Sequence, residues 1–111
     1  MLLEGLYAMT SLIGENAEQL RAIAQRRGVR RLAVFGSAVT DEFDAARSDI
    51  DVLVEFDELP PGERADAYFS LLEDLESLFG RHVDLVERAA LLNPFVRESI
   101  EATQVVIYNA A

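Results

Sequence analysis

The 111-residue chain has no cysteine and a single histidine, His82. Without thiols it can form neither a disulfide framework nor a thiolate metal site, and one histidine excludes histidine-rich zinc sites and hydrolases that need a spare imidazole. Any bound metal is expected to be held by oxygen. Basic residues are scarce: ten face twenty acidic ones, for a formal charge of −10 and a pI near 4.4. That is the opposite of the basic footprint that general nucleic-acid binding requires, so direct nucleic-acid contact and a template-binding polymerase are not expected. Long apolar runs are missing as well. The start, MLLEGLYAMTSLIGENAEQL, has no basic leader, carries Glu4 early and never reaches the run of about 20 apolar residues that spans a bilayer. A soluble, cytoplasmic chain with no membrane partner is the expectation.

Half of the residues are hydrophobic and 27% are charged, the balance of a folding globular domain. The length suits one domain over residues 1–111 with one active site. In Asn16 to Arg27 the apolar residues Ala17, Leu20, Ile23 and Ala24 recur at three and four, predicting a helix that stops at Gly28. The first dozen residues have no clear assignment. Arg31 to Phe35 reads as a buried strand running into Gly36-Ser37, and the polar stretch Ala38 to Ser48 as a short helical turn and loop. Ile50 to Phe56 alternates, with Ile50, Val52, Val54 and Phe56 on one face and Asp49, Asp51, Leu53 and Glu55 on the other. After Pro60-Pro61-Gly62, a wide stripe of Ala65, Tyr68, Phe69, Leu71, Leu72, Leu75, Leu78 and Phe79 predicts a core-covering helix ending at Gly80. His82 to Val86 is a third strand. Asn93-Pro94 opens a helix to about Ala102, and Val105 to Tyr108 is a fourth strand. The order is αβ(α)βαβαβ.

The side-chain period of a strand sends Asp49 and Asp51 to one side. If the third strand lies beside them with Val83 and Leu85 toward the helices, Asp84 joins the same face. Two carboxylates about 4 Å apart repel by roughly 4 kcal/mol at an effective dielectric of about 20, so three together call for a cation or a raised pKa. With no thiol and one imidazole, the matching ions are Mg²⁺ or Mn²⁺, and two of them could align an attacking oxygen with a leaving pyrophosphate. Gly36-Ser37, between a buried strand and a helical turn, can offer backbone N–H groups and a hydroxyl to phosphate. Each feature has a plainer reading. Gly-Ser commonly marks an ordinary turn, and any one aspartate could be the solvated side of a strand. Their conjunction on the correct elements favours a metal-nucleotide site. His82 reads as a surface residue at the start of a strand, Arg26, Arg27, Arg30 and Arg31 as a solvated helix end with phosphate contact the lesser alternative, and Tyr68, Phe69 and Phe79 as core. Asp41, Glu42 and Asp44 read as a solvated loop.

The segment AVFGSAVTDEFDAARSDIDVLVEF together with HVDLV resembles the minimal nucleotidyltransferases of the DNA polymerase beta superfamily, among them the MntA-type antitoxins of HEPN ribonuclease toxins. The likeness runs from about Ala24 to Tyr108 and includes NPFVRESIEATQVVIY. It implies an α/β (α+β) fold: a small mixed sheet of about four strands, with helices on one face. It also implies that Gly36 and Ser37 hold a triphosphate, that Asp49, Asp51 and Asp84 are the catalytic carboxylates binding two Mg²⁺ or Mn²⁺ ions, and that ATP donates AMP to a tyrosine hydroxyl of the cognate HEPN toxin. One departure stands out. Where the family commonly has Arg-Gly, this chain has Thr40-Asp41, which weakens its charge complementarity to a triphosphate. Two alternatives therefore accompany the adenylyltransferase reading: an antitoxin that neutralises by binding alone, and a small-molecule nucleotidyltransferase. The second usually carries an added domain for which this length leaves no room.

Overall fold

Alternating apolar strands and two amphipathic helices must bury their apolar sides against one another, and they do so here as a sheet covered by a helical layer. The structure is a computed structural model that describes residues 11–36 and 49–110. Ser37, the predicted helical turn within 38–48 and the first ten residues lie outside the described residues. Helix α1 spans Ala17–Arg26, strand β1 Val29–Phe35 and strand β2 Ile50–Phe56; helix α2 spans Pro61–Phe79 and strand β3 Val83–Glu87; a single 3₁₀ turn, Arg88–Ala90, precedes helix α3, Pro94–Thr103, and strand β4, Val105–Asn109. The strand order is β3-β2-β1-β4. β1 runs antiparallel to β2 and β4, whereas β2 and β3 are parallel. A parallel pair needs a crossover, and α2 supplies it.

Local chemistry sets the helix ends. Pro61 opens α2, where its missing N–H costs nothing, and Gly80 closes it at φ +64, a left-handed conformation that favours glycine. Asn93 caps α3 as expected, its side-chain oxygen accepting from the N–H groups of Phe95 (2.9 Å) and Val96 (3.3 Å). Asn16 does not cap α1. Its amide donates back to the Leu12 carbonyl at 2.8 Å, because residues 11–15 are themselves helical.

The core joins Leu20, Ile23 and Ala24 of α1 and Leu71, Leu75 and Phe79 of α2 to the apolar faces of the sheet: Leu32 and Val34, then Ile50, Val52 and Val54, then Val83 and Leu85. The opposite face is not wholly polar, since Ala33 and Leu53, paired across β1 and β2, are also buried.

Three expectations are corrected. β1 begins at Val29, which is buried; a register irregularity between Val29 and Arg31 breaks the simple alternation around the two arginines. Phe69 is not core but 67% exposed. The buried line of α2 runs through Leu71, Leu75 and Phe79, and Phe69 lies about 200° around the helix from Leu71; its ring meets Tyr68 edge-on, with centroids 5.2 Å apart. Nor are the arginines around the end of α1 a merely solvated end. Arg27 Nε and Arg26 donate to the Asp74 carboxylate on α2 at 2.7 and 3.3 Å, and Arg31 pairs with Glu55 across the sheet at 3.5 Å.

Candidate active site

β1 ends where β2 and β3 begin, so one end of the sheet gathers three chain segments. The antiparallel register pairs Phe35 with Asp51, and the parallel register pairs Ile50 with Val83 and Asp51 with Asp84. Val83 and Leu85 point into the core, and Asp84 is exposed on the opposite side with Asp49 and the half-buried Asp51. The expected single-face carboxylate triad is therefore what the register builds. The amide of Ile50 donates to the His82 carbonyl at 3.2 Å, extending the pairing so that His82 stands beside Asp49.

Gly36 follows β1 at φ +65, and a Cβ there would collide with the Asp51 carboxylate. Only glycine both adopts this backbone and leaves the carboxylate its place. Ser37, the other predicted phosphate ligand, lies outside the described residues.

Partial burial raises the Asp51 carboxyl above its ordinary value, and a hydrogen bond with Asp84 and the nearby charges of Asp84 and Asp49 push the same way. His82 Nδ1 lies 3.6 Å from Asp49 Oδ2 and 3.6 Å from Asp84 Oδ1. Asp49, His82 and Asp84 each offer a donor atom, all within 4.8 Å of one another. Oxygen-rich donors in mutual repulsion, open to solvent on one side, fit a divalent cation. A groove of about 520 Å³ runs beside them, lined by Phe35, Asp51, Tyr68, His82, Asp84 and Leu85; the Tyr68 hydroxyl is fixed by donating to the Leu85 carbonyl at 2.6 Å. A groove of about 480 Å³, bordered by Leu59, Pro61, Phe69 and the Arg64–Glu87 ion pair, lies away from the carboxylates and lacks such a donor set.

His82 is the residue the sequence reading undervalued. The same alternation that singled out Asp84 in HVDLV places His82, two residues earlier, on the same side.

Fold and donor set together define a small α/β domain with a candidate cation site at the end of its sheet. The nucleotidyltransferase domain family matches residues 17–106, and the chain belongs to that family. It is 38% identical over 81 residues to MJ0128 of Methanocaldococcus jannaschii, covering 73% of this chain and 79% of the relative. It is also 38% identical over 86 residues to the protein adenylyltransferase MntA of Thermococcus cleftensis, covering 78% and 80% of the two chains. Among solved structures, a minimal nucleotidyltransferase superposes with a TM-score of 0.63 at 28% identity, over 87% of this chain and 93% of the other. The MntA-HepT toxin-antitoxin structure shares the fold, with a TM-score of 0.58 at 18% identity, over 86% and 72%.

Proposed function

We propose that this chain is an antitoxin that transfers AMP from ATP to a tyrosine hydroxyl of a HEPN ribonuclease partner, with Mg²⁺ or Mn²⁺ held by Asp49, Asp51 and Asp84. The observation that carries the reading is the convergence of these carboxylates on one sheet face, next to a left-handed glycine that admits close backbone approach. Kinship with protein adenylyltransferases supports the acceptor class, and the fold shared with toxin-antitoxin complexes supports the partner.

In the reaction the hydroxyl oxygen forms a bond to the α-phosphorus of ATP while the α–β bridging bond breaks and pyrophosphate departs. The hydroxyl proton leaves to the carboxylate cluster. Divalent cations, when bound, neutralise the charge that develops on the attacking and leaving oxygens. Asp49, Asp51 and Asp84 position them, Gly36 leaves room for the triphosphate, and the groove beside Phe35 and Tyr68 offers the volume for the rest of the nucleotide. β3 is a sheet edge, so a protein acceptor can approach Asp84 from outside the fold.

The test is transfer of labelled AMP from ATP to a purified partner, a small helical protein carrying Arg-x4-6-His. Wild type should label it in the presence of divalent cation. The double change Asp49→Asn plus Asp51→Asn should lower the rate by at least about a thousandfold while leaving the complex intact, because it removes transition-state stabilisation and not docking. Thr40-Asp41 in place of Arg-Gly favours a second reading, neutralisation by binding alone. Full neutralisation of the toxin by the double variant would establish that reading instead.

A further inference from the structure

The parallel register of β2 and β3 makes the acidic cluster asymmetric. At one position it sets Asp51 beside Asp84, two carboxylates paired across the strands. One residue pair earlier on the same side it sets Asp49 beside the only imidazole in the chain. The His82 ring nitrogen is 3.6 Å from a carboxylate oxygen of Asp49 and 3.6 Å from one of Asp84. That is longer than a hydrogen bond. It lies between the two donor spacings of an octahedral ion, whose donors at about 2.2 Å stand about 3.1 Å apart when adjacent and about 4.4 Å apart when opposite. The His82 side chain is 62% exposed, so among the described residues its place is set by the two acids beside it and not by packing.

We infer that His82 is a nitrogen ligand, completing with Asp49 and Asp84 a mixed donor set that selects Mn²⁺ over Mg²⁺. The inference rests on the metal-dependent reading above and refines it, replacing the expectation of an oxygen-only site. Both ions are at home among carboxylates, but Mg²⁺ is the harder, holds its waters and demands oxygen, whereas Mn²⁺ also accepts an imidazole nitrogen.

The experiment measures Mn²⁺ and Mg²⁺ binding to the full chain by electron paramagnetic resonance of free Mn²⁺ and by Mg²⁺ competition, for wild type, His82→Gln and Asp49→Asn. Nitrogen coupling to bound Mn²⁺ is recorded in parallel. Wild type should prefer Mn²⁺ by roughly tenfold or more and show nitrogen coupling. His82→Gln should lose the coupling and weaken Mn²⁺ binding roughly tenfold with Mg²⁺ binding within about twofold, while Asp49→Asn weakens both. Because His82 is exposed, its replacement should leave the melting temperature of the metal-free chain unchanged. A histidine acting only as a positive charge would give the opposite sign: His82→Gln would then tighten both ions alike, and the inference would fall. Equal affinities unaltered in His82→Gln, with AMP transfer intact, would overturn the inference alone. No binding of either ion by wild type would overturn it together with the metal-dependent reading.

Discussion

Gly36 carries more of the site than its size suggests. It sits at φ +65, where an L side chain costs about 1–2 kcal/mol, and an added methyl group would occupy the place of the Asp51 carboxylate. Gly36→Ala should therefore lower stability by about 1–2 kcal/mol in urea unfolding. The same variant should weaken divalent-ion binding, because Asp51 must turn away from Asp84. A variant that kept both stability and ion binding would show that the turn can relax without moving the carboxylate. Asp51 itself illustrates the strain within the site: burial, the bond to Asp84 and the neighbouring charges all favour its protonated form, and a bound cation reverses that preference by competing with the proton.

At the scale of elements, the two core-covering helices are tied by one carboxylate. Asp74 on α2 accepts from Arg27 Nε at 2.7 Å and from Arg26 at 3.3 Å, just after and within the last turn of α1. The bond from Arg27, with further help from Arg26 and both positive charges, holds the Asp74 carboxyl below its ordinary value against partial burial. A carboxyl lowered in the folded state contributes stability above its unfolded pKa and loses it as pH falls through the folded value. Asp74→Ala should thus cost about 1 kcal/mol at neutral pH, a modest figure because the pair is partly solvated. The difference from wild type should hold between about pH 5 and 8 and fade below about pH 4. Melting curves of the two proteins across that range check it, and a gap that persisted in acid would assign the loss to packing.

For the molecule as a whole, the charge imbalance is the dominant fact. Twenty acidic residues face ten basic ones, and Arg26, Arg27, Arg31, Arg64 and Arg88 are already engaged in ion pairs within the fold. The excess of negative charge is left to repel itself across a small surface. Raising sodium chloride from about 10 mM to about 300 mM shortens the screening length from roughly 30 Å to under 10 Å. The metal-free chain should gain about 1 kcal/mol, a few degrees in melting temperature, because relief of the net repulsion outweighs the weakening of exposed pairs. A melting temperature that fell with salt would mean the ion pairs dominate. Among the described residues no helix is long and apolar enough to cross a membrane.

Local patterns in the sequence determined most of the elements and half of the site. The alternation of IDVLVEF, the stripe ending at Gly80 and the Asn93-Pro94 start are properties of neighbouring residues, and each appears where the pattern puts it. Alternation alone also sends Asp49 and Asp51 to one side, since a period of two needs no partner. Tertiary structure decided what those elements meet. Placing Asp84 against Asp51 and His82 against Asp49 required the register of a parallel pair joined only through the length of α2. Pairing Arg26 and Arg27 with Asp74 likewise depended on how α1 and α2 lie across the sheet, and exposing Phe69 depended on which side of α2 faces it. The division is physical. Periodicity is written in contacts between near neighbours, whereas register is chosen when distant segments bury their apolar faces together, and only that choice gathers three separate acids and one histidine into one cluster.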